Sequence, residues 1–244
     1  MDDIQQEILK LVQEANVDNP LQYVRDIVKV EACDKLKSMI SHCKDCNIGR
    51  CGKSIPVGNP NASIMVIGGT CKQYTDEDTN VFGDEDAKRI IDIVFNDILN
   101  INTDEVFFIN TVSCYPSCII DDKVVPYGLA TSTQFENCSL FVEHAIEIVQ
   151  PLFIIIMGSV ANNYFNKMHL NRTQSLKQSL GEMVLIKGIP AIITQDPYYF
   201  IEAKGKVDDE LLEDEKQDFI NHIHEAALYV ENHYPNISIF KAIE

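Results

Sequence analysis

The sequence SIMVIGG, residues 63–69, is the stretch that decides the fold. A short apolar run that stops at glycine is typical of a buried strand followed by a ligand-facing loop. We therefore predict a strand over Ser63–Ile67 that ends at Gly68-Gly69. The run FIIIM at 153–157, which Gly158 follows, repeats the pattern further along the chain.

Helical patterns separate these strands and predict an alternating fold. Apolar residues recur at helical spacing over residues 3–42, with Asn19-Pro20 as the start of a second helix. Further elements are predicted as helices at 86–99, 134–149 and 208–230, and as strands at 106–110, 182–186 and 191–194, with a long loop after 110. Strands that alternate with helices predict an α/β fold, a three-layer α/β/α arrangement around a mostly parallel sheet.

The same pattern divides the chain into three parts. We expect residues 1–42 to form an N-terminal helical cap and residues 43–200 to form the α/β core. Residues 201–244 are expected to form an acidic helix and tail that belong to the same domain.

Composition limits the classes of function. The 244 residues carry a formal net charge of −17, which argues against a protein that grips nucleic acid mainly by releasing counterions. No apolar run reaches the roughly 20 residues that span a bilayer, and the first residues lack a basic signal-peptide start. We therefore expect a cytoplasmic protein without a membrane partner. Locally basic segments at 35–53 and 162–187 are expected either to border a phosphate path or to be solvated surface.

Four of the eight cysteines are spaced in a way that predicts a metal site. Cys43 and Cys46 form a C-x-x-C pair that closes the N-terminal helical stretch. Cys114 follows a predicted strand, and Cys138 lies near the start of a predicted helix, so all four can meet at one side of a sheet. Four thiolates suit either zinc or an iron–sulfur cluster, and the absence of a second C-x-x-C pair favours a 4Fe–4S cluster over zinc.

The predicted strand ends and the cysteines together show a resemblance to a known family. From about Cys43 to Phe200 the chain resembles the iron–sulfur uracil-DNA glycosylases, a bacterial and archaeal group usually called family 4. The matching features occur in the family's order: the cysteine pair, Val57-Gly58, Ile67-Gly68, Phe82-Gly83, Asn110-Thr111 with Cys114, Cys138, and Pro151 leading to Met157-Gly158-Ser159-Val160-Ala161. The resemblance implies a uracil-DNA glycosylase-like α/β/α fold.

The resemblance also implies roles for individual residues. The cluster would be ligated by Cys43, Cys46, Cys114 and Cys138. The segment between Cys114 and Cys138 is longer than is usual in the family, so Cys118 within it is an alternative ligand to Cys114. In the family, the target base is flipped into a pocket, since the glycosidic carbon is unreachable in a duplex.

Within that pocket, four residues match the family's base-binding positions. Phe82 falls where an aromatic ring stacks on the base, and Asn110 falls where an amide reads the edge of the base. Gly68 and Gly69 form the first loop of the pocket. As ordinary structural residues, Phe82 would pack in the core and Asn110 would cap a turn.

The catalytic loops depart from the family pattern. Gly69 replaces the acid of the family's Gly-Glu-Ala-Pro-Gly loop, so no side chain at that position orients water or opposes the developing positive charge. Asp196, in Asp196-Pro197-Tyr198, stands where the family has His-Pro-Ser, and an aspartate there would repel a departing uracil anion. If the chain is active, the candidate acids are Asp196, Asp76 and Asp78.

Residues 195–199, QDPYY, also resemble the Gln-Asp-Pro-Tyr-His loop of family 1 uracil-DNA glycosylases, whose Asp is catalytic. In family 1 that loop follows an early strand, whereas here the string follows the last predicted strand. Asp-Pro is also a common way to start a turn. We therefore interpret Asp196 first as a turn residue and second as a catalytic base.

Two functions follow from the resemblance. The first is a catalytically degenerate, cluster-containing protein that binds single-stranded or uracil-containing DNA and serves as an accessory or assembly subunit, with a protein partner, in DNA replication or repair. The second is an active glycosylase for uracil or another modified base, with rearranged catalytic residues. A third class, a metal-stabilised interaction module without nucleic acid, leaves the ordered matches unexplained. The composition, rich in Ile, Asn and Asp, suits a viral or phage protein, which would act in the host cytoplasm.

Overall fold

The computed structural model describes residues 19–46, 52–71, 77–115, 117–120, 123–126 and 130–241. Its helices are α1 (Pro20–His42), α2 (Glu85–Asp92), α3 (Ser132–Val149), α4 (Gly158–Phe165), α5 (Leu176–Ser179), α6 (Pro197–Ala203) and α7 (Asp209–His233). Turns of π-helix extend α2 over Ile93–Ile98 and α4 over Asn166–Leu170, and a 3-10 turn spans Thr103–Glu105. The strands are β1 (Ser54–Ile55), β2 (Val57–Gly58), β3 (Ile64–Thr70), β4 (Thr79–Asn80), β5 (Val106–Val112), β6 (Ser117–Ile120), β7 (Lys123–Pro126), β8 (Phe153–Met157), β9 (Met183–Ile186) and β10 (Ile189–Thr194).

The central sheet has six strands in the order β2-β5-β3-β8-β10-β9. Strand β3 runs parallel to both β5 and β8, and β10 runs parallel to β8. The edge strands β2 and β9 are antiparallel to their neighbours. The four parallel strands therefore end at the same edge of the sheet, where ligands bind in such folds.

Alternate residues of the central strands enter two separate hydrophobic layers, as the two-residue period of a strand requires. Met65 and Ile67 of β3 face a layer that includes α1, α3 and α4. Ile64 and Val66 face the opposite layer, which includes α2, α6 and α7. Helices cover both faces of the mostly parallel sheet, which confirms the predicted α/β class and explains why the strand sequences are continuously apolar.

Strand β3 is longer than predicted, and the predicted end at Gly68-Gly69 is wrong. The strand continues through both glycines to Thr70, because Gly68 is paired with Asn110 and Thr70 with Val112 of β5. A glycine carries the same backbone donor and acceptor as other residues, so strand pairing can continue through it. The prediction of a loop after residue 110 was also incomplete, since an antiparallel hairpin of β6 and β7 lies within it.

Two helix starts follow the sequence signals. Helix α1 begins at Pro20 and is capped by Asn19, whose side-chain oxygen accepts a hydrogen bond from the backbone N–H of Gln22 at 3.2 Å. Helix α7 is capped by Asp208 and continues past the predicted end at 230 to His233.

The first helix of the predicted N-terminal cap lies outside the described residues. None of the described helices has an apolar stretch long enough to cross a bilayer.

Candidate functional site

A pocket lies at the edge of the sheet where β3, β5 and β8 end. It brings together Gly68, Gly69, Phe82, Asn110 and Asp196, which the sequence placed on four separate segments. The complete set of described lining residues is Val66, Gly68, Gly69, Thr70, Val81, Phe82, Ala87, Phe108, Ile109, Asn110, Met157, Asp196, Pro197 and Tyr198. The lining is mainly apolar, with a few polar groups, as in most small-molecule sites.

The side-chain amide of Asn110 is fixed by two hydrogen bonds. Its nitrogen donates to the carbonyl oxygen of Val81 at 2.7 Å and to the hydroxyl of Ser54 at 3.1 Å, and the residue is 5% exposed. Its Oδ1 lies beside Gly68, where an added Cβ would approach to 2.4 Å. Because both amide hydrogens are bound to protein, the oxygen is the atom left to accept a hydrogen bond from a ligand. The sequence indicated Asn110 but gave no signal for Ser54 or Val81.

Phe82 belongs partly to the core and partly to the pocket. Its ring packs edge to face on Phe108, with centroids 5.2 Å apart and planes inclined at 62°. The residue is half-buried against the layer of α2, α6 and α7. One ring therefore lines the pocket while its edge is held by the core, which limits its freedom to move.

The backbone of Gly69 is pressed against helix α4. A Cβ added at Gly69 would lie 2.8 Å from the Cβ of Val160 in the first turn of that helix. On the other side, the carbonyl oxygen of Gly69 accepts a hydrogen bond from the hydroxyl of Thr111 at 2.8 Å. No larger residue fits at position 69 unless Val160 or the strand moves. Val160 stood within a matched motif in the sequence, but its contact with Gly69 depends on the fold.

Asp196 caps helix α6. Its Oδ1 accepts a hydrogen bond from the backbone N–H of Tyr198 at 2.9 Å, as expected of an aspartate before Pro197. The other carboxylate oxygen faces Gly158, whose φ is +87° and whose Cβ, if it had one, would lie 3.0 Å from that oxygen. Among the described residues that line the pocket, Asp196 is the one with a carboxylate, and none is a lysine, an arginine or a histidine.

Of the other two acidic candidates, Asp78 is not among the described lining residues of the pocket. The carboxylate of Asp78 accepts hydrogen bonds from the backbone N–H of Lys53 at 2.8 Å and from the hydroxyl of Ser41 at 2.5 Å. Asp78 therefore links α1 to the segment before β1. Asp76 lies outside the described residues.

A second cavity contains the four predicted cysteine ligands. Cys43 and Cys46 follow α1, Cys114 follows β5, and Cys138 lies in α3. The described lining is Ile40, Cys43, Cys46, Lys53, Ser113, Cys114, Cys138 and Phe141. Within the described parts of the chain, no group of three or more Cys, His, Asp or Glu side chains is arranged to hold a metal ion. The side chain of Cys118 lies outside the described residues.

Each of the four cysteine sulfurs accepts a hydrogen bond from an N–H group. Lys53 Nζ lies 3.1 Å from the sulfur of Cys114, and Asn137 Nδ2 lies 3.3 Å from that of Cys46. The backbone N–H groups of Asp45 and Ser113 bind the sulfurs of Cys43 and Cys138 respectively. Donors directed at sulfur favour the thiolate, which is the form that binds metal.

Burial opposes this effect when the cysteines are free. The pKa of Cys138 is raised to about 11, mainly by burial; the hydrogen bond from the backbone of Ser113 lowers this pKa, and the neighbouring Cys46 and Cys43 raise it. Burial also raises the pKa of Cys43, and the carboxylate of Asp45, 3.6 Å from its sulfur, acts in the same direction. Four thiolates can therefore share this cavity only if cations neutralise them.

The structure changes the interpretation of the basic segment at 35–53. The side chain of Lys53 is 7% exposed and lies in the cysteine cavity, so it does not border a phosphate path. The sequence missed Lys53, Asn137 and Ser113 as neighbours of the cysteines, since only the folded chain brings them there.

Comparison with known proteins supplies the family context. The family model for the uracil DNA glycosylase superfamily matches residues 55–224. A protein named Type-4 uracil-DNA glycosylase from Sulfurisphaera tokodaii is 26% identical over 145 residues, which cover 58% of this chain and 62% of the relative. A protein of the same name from Saccharolobus solfataricus is 26% identical over 140 residues, covering 56% and 61%. The chain thus spans about three fifths of the length of these two relatives.

The contact between Gly69 and Val160 gives a first prediction. We expect Gly69→Ala to lower the free energy of unfolding by about 1–3 kcal/mol, because the added methyl group overpacks the contact. In a chain that also carries Val160→Ala, the same change should cost much less. Urea denaturation of the two single variants and the double variant measures this coupling. Equal costs of Gly69→Ala in both backgrounds would show that Val160 does not close this position.

A second prediction separates the cap from a catalytic role at Asp196. Asp196→Ala should destabilise the protein by about 1 kcal/mol through loss of the helix cap. Asp196→Asn keeps a side-chain oxygen for the Tyr198 N–H and should cost much less in the same urea measurement. A cost for Asp196→Asn as large as that for Asp196→Ala would contradict the cap.

Proposed function

Because the chain belongs to the uracil DNA glycosylase superfamily, we propose that it is a catalytically degenerate member that binds DNA. In this proposal it serves as an accessory or assembly subunit in DNA replication or repair. The observation that carries the proposal is the contact of Gly69 with Val160. The family 4 enzymes have an acid at this position, whereas this chain has a glycine. Val160 fills the space that a side chain at position 69 would need.

The electrostatics of the pocket support the same conclusion. A departing uracil carries negative charge, which cationic or neutral donors stabilise in an efficient active site. The described lining offers the carboxylate of Asp196 instead, and that carboxylate is already bound as the cap of α6. A carboxylate next to the departing base raises the barrier rather than lowering it.

The base pocket itself supports binding. The ring of Phe82 lines the pocket and packs on Phe108, and in this proposal a flipped base stacks on it. The Oδ1 of Asn110 is available to accept a hydrogen bond, and a uracil offers its N3–H as a donor. A base that is already unpaired pays little for entering such a pocket, so single-stranded or uracil-containing DNA is the proposed ligand.

The net charge of −17 defines how this binding should differ from that of basic DNA-binding proteins. The 37 acidic side chains outnumber the 20 Lys and Arg side chains that could displace counterions from phosphates, so in this proposal the affinity depends mainly on the pocket. The affinity should consequently fall less steeply with salt than it does for a basic protein.

We propose that the cysteine cavity holds a 4Fe–4S cluster bound by Cys43, Cys46, Cys114 and Cys138. Its residues fit that group in three respects. The donor set consists of four thiols, each with an N–H donor at its sulfur. The hydroxyl of Ser113 lines the same cavity, is buried and has no hydrogen-bond partner among the described residues. The four cysteines line one cavity, and the absence of a second C-x-x-C pair from the sequence favours a cluster over zinc.

When bound, such a cluster supplies covalent ties among its four ligands. The ligands come from the end of α1, the end of β5 and the second turn of α3. The proposed role is therefore structural, because the ties would fasten the N-terminal helix to the sheet and need no redox chemistry.

A second function is favoured by one specific observation. The two hydrogen bonds that orient Asn110 have a clear use in an enzyme that reads a base before excising it. In that case the chain is an active glycosylase whose acid is Asp76 or Asp196. Positioning and distortion of the flipped nucleotide would supply part of the acceleration.

Our third prediction tests these functions. In a single-turnover incubation, the chain should bind uracil-containing single-stranded DNA without forming abasic sites. Alkaline cleavage of the DNA detects any abasic site. The affinity for DNA should fall at least about tenfold in Asn110→Ala, because the side chain that hydrogen-bonds to the base is removed. A tenfold loss of affinity corresponds to about 1.4 kcal/mol of binding free energy. A Type-4 uracil-DNA glycosylase serves as the positive control for cleavage.

Cleavage by the unchanged chain that disappears in Asn110→Ala would overturn the accessory function and establish the glycosylase. Asp76→Asn and Asp196→Asn would then identify the acid. Absence of DNA binding at moderate salt would reject both functions.

A fourth prediction concerns the cofactor. Protein purified without oxygen should contain iron and acid-labile sulfide in equal amounts, whereas a zinc site would contain zinc and no sulfide. Cys138→Ser should lose both iron and sulfide, and Cys33→Ser should keep them, because Cys33 is buried in α1 and does not line the cavity.

A further inference from the structure

We propose that Lys53 is a positioning residue of the four-cysteine site, where its ammonium group holds the sulfur of Cys114 and offsets part of the thiolate charge. This inference rests on the proposed function, because it presupposes the cluster. It assigns a role to a residue that neither the cysteine spacing nor the resemblance indicated.

Backbone contacts hold Lys53 in place on two sides. It forms an isolated antiparallel bridge with Cys114, and the backbone N–H of Ser54 donates to the carbonyl oxygen of Ser113 at 2.7 Å. Its own backbone N–H donates to Asp78 at 2.8 Å. The side chain therefore starts from a fixed point directly beside Cys114.

The side chain then turns into the protein rather than toward water. Lys53 is 7% exposed, and its Nζ lies 3.1 Å from the sulfur of Cys114, which is also buried. Burying an ammonium group is costly unless an anion or strong acceptors compensate. A thiol is a weak acceptor, whereas a thiolate that ligates metal carries a negative charge that stabilises an ammonium group beside it.

Lys53 differs from the other donors around the cysteines. Asn137 and the backbone N–H groups of Asp45 and Ser113 are neutral. Among the donors to these sulfurs in the described part of the chain, only Lys53 brings a full positive charge. A cluster bound by four thiolates carries net negative charge, and such outer contacts orient the ligands and stabilise the bound group.

The test compares four variants of the full chain, each purified without oxygen and loaded with iron and sulfide. Lys53→Met removes charge and donor, Lys53→Gln keeps a donor, and Lys53→Arg keeps both. Lys44→Met is the matched control, because Lys44 lies between Cys43 and Cys46 but is exposed. The rate of cluster loss to a chelator is followed by visible absorbance, and the Fe–S(Cys) stretching frequencies are measured by resonance Raman spectroscopy.

We expect Lys53→Met to lose its cluster about tenfold faster than the unchanged chain, in line with the effect of removing an outer contact to a ligand. Lys53→Arg should restore most of the lifetime, and Lys53→Gln should fall between the two. Lys44→Met should match the unchanged chain. The frequency of an Fe–S(Cys) stretch should rise in Lys53→Met but not in Lys44→Met. In Lys53→Met the ammonium donor no longer draws electron density from the sulfur of Cys114. A merely structural defect would not produce this shift.

Equal lifetimes and unchanged stretching frequencies in Lys53→Met and the unchanged chain would overturn the inference while leaving the cluster in place. An equal loss of lifetime in Lys44→Met and Lys53→Met would also overturn it, since general charge rather than the contact would then matter. Absence of iron and sulfide from the unchanged chain would instead reject the proposed cofactor. If Lys53→Met fails to fold, the comparison of Lys53→Gln with Lys53→Arg carries the test.

Discussion

The parallel pairing of β3 with β5 is the constraint on which both sites depend. It places Gly68 opposite Asn110 and Thr70 opposite Val112, and two residues further on the chain reaches Cys114. The same pairing therefore sets the wall of the pocket and the position of one cysteine. Because both strands are buried on both faces, a slip of one residue would move each side chain to the opposite hydrophobic layer, where the packing does not match its size.

The segment Lys53-Ser54 joins the two sites. Ser54 accepts a hydrogen bond from the amide of Asn110, and the neighbouring Lys53 donates to the sulfur of Cys114. Successive residues of an extended segment point in opposite directions, so one short piece of chain can serve both cavities. A change in the cysteine site that displaced this segment would also disturb the amide of Asn110, which gives a physical route by which a structural cofactor could preserve a base pocket.

The pocket has the features of a base-binding site, but the catalytic groups of the family 4 enzymes are replaced. Its amide is oriented, its aromatic ring is held from behind, and its surroundings are mostly apolar. At Gly69, however, Val160 leaves no room for a side chain, and the carboxylate of Asp196 caps helix α6. Closure of position 69 by packing avoids a second carboxylate in the pocket beside that of Asp196, since an isolated buried carboxylate would be costly.

Much of this architecture could be predicted from local patterns. Apolar runs such as Phe153–Met157 and the start signal Asn19-Pro20 depend on neighbours along the chain, so they fixed the strands, the helix starts and the edge at which Gly68 and Asn110 meet. The cysteine spacing likewise indicated one site. The contacts of Val160 with Gly69, Ser54 with Asn110 and Lys53 with Cys114 were decided only by the tertiary structure. They join residues far apart in sequence, and no periodicity or spacing within the chain records which distant side chain fills a given space.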